Sequence, residues 1–66
     1  MKLKEFISNL NNLVKTNPEA LDYDVVTSKD DEGNGFNLVY YAPQIGHFDE
    51  DRDFQEVQEA NAVCVN

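Results

Sequence analysis

The sequence predicts an α+β fold, with one N-terminal helix packed on a small antiparallel sheet of about three strands. Three observations carry this. Apolar residues recur at helical spacing over 3–16; two β-rich runs flank a polar, glycine-containing break at 29–35; and the sequence finishes on a short apolar run at 61–66. With 66 residues the chain is read as a single domain, 1–66. A domain of this size buries only about 60% of the surface its unfolded chain exposes, so its margin of stability is thin. One cysteine, Cys64, rules out an internal disulfide. Stability must come from a minimal core, a partner subunit or a metal.

The helix is the clearest element. Leu3, Phe6, Ile7, Leu10, Leu13 and Val14 form one apolar face, while Lys4, Glu5, Ser8, Asn9, Asn11, Asn12 and Lys15 take the other. Pro18 disfavours helical geometry at Asn17, so the helix should stop near Thr16. The stripe is expected to pack on the sheet, and docking in a partner's groove is the alternative.

After the connector Glu19-Ala20-Leu21 comes Asp22–Ser28, with Leu21, Tyr23 and Val25 on one side. Phe36–Tyr41 follows the break, with Phe36, Leu38 and Tyr40 alternating. Two such runs around a short loop containing glycine read as a β-hairpin. The second strand should end at Ala42-Pro43, because proline cannot donate to a ladder. Residues 44–59 are ambiguous. Phe54 and Val57 are spaced like one helical turn, but loop is an equal reading. Asn61–Asn66 reads as a last strand. The expected core sets Leu3, Phe6, Ile7, Leu10, Leu13 and Val14 against Tyr23, Val25, Phe36, Leu38, Tyr40, Val63 and Val65.

Charge narrows the class of function. The net charge is −8, and its placement is uneven. Residues 1–29 balance four lysines against four acidic groups, whereas residues 30–66 hold Arg52 alone against nine. Phosphate binding needs clustered Lys and Arg, so direct nucleic-acid binding is not expected. A basic protein partner is allowed, although negative charge also simply keeps a small protein soluble. No apolar run reaches the roughly 18 residues of a membrane span, and Glu5 and Asn9 interrupt any signal-peptide core. No membrane role is therefore expected. The chain reads as cytoplasmic, which suits a single free thiol.

Several segments together resemble a known group. The opening Met1-Lys2-Leu3-Lys4-Glu5-Phe6-Ile7, the connector Asn17–Leu21, the turn Asp30–Phe36 and the ending Asn61–Asn66 are similar to small tailed-bacteriophage proteins. Those carry a similar helix, a strand entering an acidic Asp-Glu-Gly-Asn turn, and a comparable apolar ending. The likeness covers most of the chain except 44–59. It implies expression in the bacterial host cytoplasm during infection, and it carries over no activity and no site residues.

Two acidic segments invite a cation reading. In Asp30-Asp31-Glu32-Gly33-Asn34-Gly35, aligning Gly35 with the glycine of an EF-hand loop puts Asp30, Glu32 and Asn34 at oxygen-ligand positions. The match then fails at Tyr41, where a bidentate Glu is required. A solvated hairpin turn is the better reading. Asp49-Glu50-Asp51-Arg52-Asp53 alternates carboxylates, but no glycine turn follows, and charge runs are mostly solvated loops. No metal and no cofactor are expected.

Catalysis is not expected either. His47 is the lone histidine and has no Ser or Cys beside it, Ser8, Thr27 and Ser28 lack an activating base, and Cys64 sits between two valines as a structural thiol would. The chain reads as a non-enzyme that acts by protein–protein binding. The expected contact surface is Phe48, Asp49, Glu50, Asp51, Asp53 and Phe54, an aromatic anchor ringed by charge. A DNA-mimic inhibitor of a nucleic-acid-binding protein and a self-associating structural subunit, hence a homo-oligomer, are the alternatives.

Overall fold

The computed structural model describes residues 1–66 as an α+β fold. Helix α1 spans Leu3–Thr16, where the periodicity placed it. Its start lacks a side-chain cap, and the Lys2 carbonyl accepts the first bonds of the helix, from the Glu5 and Phe6 amides. Glu5 in the first turn and Lys15 in the last complement the helix dipole. At the far end the Asn17 amide donates to the Leu13 carbonyl at 2.8 Å, and its side chain reaches the same oxygen. Pro18 then opens a single 3-10 turn, Pro18–Asp22, at the position where a missing N–H costs nothing.

Strands β1 (Val26–Ser28) and β2 (Phe36–Leu38) form the expected antiparallel hairpin, in register Val26↔Leu38, Thr27↔Asn37 and Ser28↔Phe36. Both are shorter than the sequence runs, because the 3-10 turn consumes Asp22 and the ladder ends at the bond from the Val39 amide to the Val25 carbonyl. The hairpin stands as its own two-stranded ribbon.

A second sheet joins the segment that the sequence left open to the expected last strand. Strand β3 (Gln44–Phe48) pairs on one side with β4 (Phe54–Gln55) and on the other with β5 (Ala62–Cys64), both antiparallel, giving the order β4-β3-β5. Residues 44–55 are thus neither loop nor helix but a hairpin with Phe48 directly opposite Phe54. Pro43 lies just before β3 and separates the two sheets in sequence.

Gly46, at the centre of β3, is the one buried residue in the chain. The expected apolar core is not formed. Leu3, Phe6, Ile7, Leu10 and Leu13 are 38–51% exposed, Tyr23, Val25, Phe36, Leu38, Tyr40 and Val65 are exposed, and only Val14 and Val63 are half-buried. No single sheet spans the helix, because the β1–β2 ribbon stands apart from β4-β3-β5. A 14-residue helix runs about 21 Å, whereas a five-residue strand gives about 17 Å, and its neighbours are two and three residues long. At the first turn of the helix, Leu3 and Phe6 line an apolar cleft together with Ile45, Val63 and Val65.

The radius of gyration, 13.7 Å, exceeds the roughly 11 Å of a close-packed chain of this length. The accessible surface agrees. It is 6137 Å², against about 4,200 Å² for a folded monomer of this mass. No helix is long and apolar enough to cross a membrane.

Candidate functional site

The β3–β4 hairpin carries all six residues of the expected contact surface, and it is held from three directions. Asp49 holds the turn. Its carboxylate Oδ1 accepts from the Asp51 amide at 2.9 Å and the Asp53 amide at 3.0 Å, while its backbone pairs with Asp53 and Arg52. Arg52 takes the left-handed conformation at φ 65°. This is a type I turn closed by a left-handed residue, a position at which glycine is the usual occupant.

Asn61 holds the base from the neighbouring side. Its Oδ1 accepts from the Phe48 amide at 2.7 Å and its Nδ2 donates to the Phe48 carbonyl at 3.1 Å, while its own amide donates to the Gly46 carbonyl. A side-chain amide thereby extends the β3–β5 ladder by one residue.

Gly46 holds the hairpin from beneath. A Cβ placed there would lie 2.5 Å from the Gln55 carbonyl oxygen and 2.7 Å from Phe54 Cε2. The Phe54 ring therefore occupies the space that any larger residue would need. Packing an aromatic ring diagonally across a strand glycine restores the burial which that glycine forfeits.

This divides the six residues by role. Phe54 is half-buried on Gly46, and the half-buried Asp49 spends Oδ1 on the turn, so both build the hairpin. Phe48 is 48% exposed, and Glu50, Asp51 and Asp53 are exposed. His47 and Asn61 join Phe48, Asp49, Glu50 and Asp51 around a shallow hollow. Sequence reasoning missed Asn61. Its signal was a polar residue standing at the head of an apolar strand.

The 30–35 turn is organised like the 49–53 turn. Asp30 Oδ1 accepts from the Glu32 and Asn34 amides at 3.0 and 3.1 Å, Oδ2 accepts from the Asn34 side-chain amide, and Gly33 supplies φ 70°. The Asn34 amide, helped by its side chain and the neighbouring amides of Glu32 and Gly33, holds the Asp30 carboxyl below its usual range, with desolvation opposing. These carboxylate oxygens face N–H donors. No three His, Cys, Asp or Glu side chains are placed to share a metal ion. Cys64, half-buried on β5, donates to the Asn66 carbonyl, and His47 lies opposite Gln55 in the ladder.

A second asparagine joins the two sheets. Asn66 Nδ2 donates to the Leu38 carbonyl at 3.3 Å, and Asn66 Oδ1 accepts from the Tyr40 amide at 3.4 Å. Compared with known proteins, the chain matches no family model, no curated protein and no solved structure.

Proposed function

We propose that this chain works by binding a basic protein through the tip of the β3–β4 hairpin, and that it has no catalytic role. The observation that carries the reading is the half-exposed Phe48, set beside Glu50, Asp51 and Asp53 on a turn that Asp49 and Asn61 hold in place. Aromatic anchors supply much of the energy at protein interfaces, and a turn fixed in advance loses little entropy on binding. The surrounding carboxylates would speed encounter with a basic surface, and salt would weaken that effect. The likeness to small tailed-bacteriophage proteins suggests the setting, an accessory protein acting in the cytoplasm of an infected bacterium.

The test is affinity capture from a bacterial lysate at low and high salt. It compares the native chain with Phe48→Ala and with a triple variant, Glu50→Gln, Asp51→Asn and Asp53→Asn. A protein captured at low salt, lost at high salt and lost to both variants supports the reading. Capture unaffected by the triple variant at low ionic strength removes the acidic turn from the account.

A further inference from the structure

We infer that the apolar stripe of α1 is the interface of a homodimer, with two copies of the helix packed antiparallel about a two-fold axis. Leu3, Phe6, Leu10 and Leu13 fall at alternating steps of three and four residues, the a and d positions of a heptad, and every one of them is exposed. The flanking positions of that heptad are Lys2, Ile7, Asn9, Val14 and Thr16, with a single charge among them. The seam is thus free of acidic groups in a chain of net charge −8. Such a surface is self-complementary, as a two-fold contact requires.

The exposed area leaves room for a second copy as the occupant. The chain exposes 6137 Å², about 1,900 Å² more than a folded monomer of its mass should. Obligate homodimers bury about 1,000–2,500 Å² on each partner, and a second copy on the stripe and the apolar surface beside it would cover part of this excess, which is spread over the whole chain. Small domains without disulfide or metal turn to oligomerisation for stability, and the single Cys64 leaves this chain without an internal disulfide.

Charge selects the antiparallel arrangement. The three-stranded sheet with its acidic hairpin lies beside the first turn of α1, through the cleft between Leu3, Phe6, Ile45 and Val63. A parallel pair would set two acidic sheets side by side. An antiparallel pair sets them at opposite ends of a helix about 21 Å long, beyond the Debye length of about 8 Å at physiological salt.

The test is sedimentation and thermal melting of the full chain from low micromolar to near-millimolar concentration, repeated for Leu10→Lys and for Asn11→Lys on the polar face. The expected result is twice the chain mass and a melting temperature that rises with concentration, both kept in Asn11→Lys. For Leu10→Lys the expectation is a monomer or an unfolded chain. A native chain that is monomeric with a concentration-independent melt overturns the proposal, and so does a folded dimer in Leu10→Lys. In a Cys64→Ser background, a Thr16→Cys disulfide between copies would bring like helix ends together and overturn the antiparallel arrangement. Its absence, with Lys2→Cys on one copy joining Thr16→Cys on the other, supports it.

Discussion

Asp30 and Asp49 head turns of one design. Each directs Oδ1 at the amides of the residues two and four further on, and each is followed at the third position by a left-handed residue. The left-handed residue is Gly33 in one turn and Arg52 in the other. That backbone costs an L-residue with a side chain roughly 1–2 kcal/mol.

Arg52→Gly should therefore stabilise the chain by about 0.5–1 kcal/mol, after the extra freedom of glycine in the unfolded state is subtracted. Gly33→Ala should cost about 1 kcal/mol in the other hairpin. Urea denaturation of the two variants checks both signs, and equal effects in the two turns would break the comparison.

Gly46→Ala should be the most damaging small substitution. The new methyl group meets the Gln55 backbone oxygen at 2.5 Å, and backbone cannot step aside as a side-chain end can. Forced overpacking of this kind costs about 1–3 kcal/mol. The β4 amide resonances should shift well beyond those of β1 and β2, and a melt equal to that of the native chain would refute the packing of Phe54 on Gly46.

Asn61→Ala removes two hydrogen bonds to Phe48 and should cost about 1–2 kcal/mol. Asn61→Asp keeps the acceptor for the Phe48 amide but sets a carboxylate against its carbonyl, so it should not rescue. Exchange of the Phe48 amide with deuterium should accelerate in both variants.

Acid should loosen the β1–β2 hairpin through Asp30. Its carboxyl is held below the usual 3.8 by the amide and side chain of Asn34 and by the amides of Glu32 and Gly33. A depressed carboxylate contributes stability above its unfolded value, and that stability is lost as pH falls from about 3.8 through the lower folded value. Asp30→Asn keeps an acceptor without the charge, so this part of the acid dependence should flatten. A Gly33 or Asn34 amide shift that titrates identically in the variant would exclude the assignment.

The helix was legible because Leu3 to Val14 repeat at its period and Pro18 marks its end. The first hairpin was legible because glycines sit between two β-rich runs. The second was not, since Gly46 and His47 interrupt the alternation in β3 and Arg52 takes a place where glycine would have announced a turn. Two phenylalanines bracketing five residues headed by Asp49 were the available clue. Four of the six residues expected to meet a partner lie open on that hairpin, whereas Phe54 and Asp49 face inward for reasons of packing and turn geometry that spacing does not encode. The core was over-read for a similar cause. An apolar stripe reports that a helix face seeks cover without saying where the cover lies.

The clasp of Asn66 on Leu38 and Tyr40 bears on how the molecule should come apart. It joins residues 28 positions apart through one side chain, while the covalent path between ribbon and sheet runs through Tyr41, Ala42 and Pro43. Releasing that exposed side chain breaks its bonds to Leu38 and Tyr40 and leaves every pair in β4-β3-β5 intact. The ribbon and the three-stranded sheet should therefore open separately, and hydrogen exchange should find β1 and β2 opening at lower free energy than Gly46 and its neighbours.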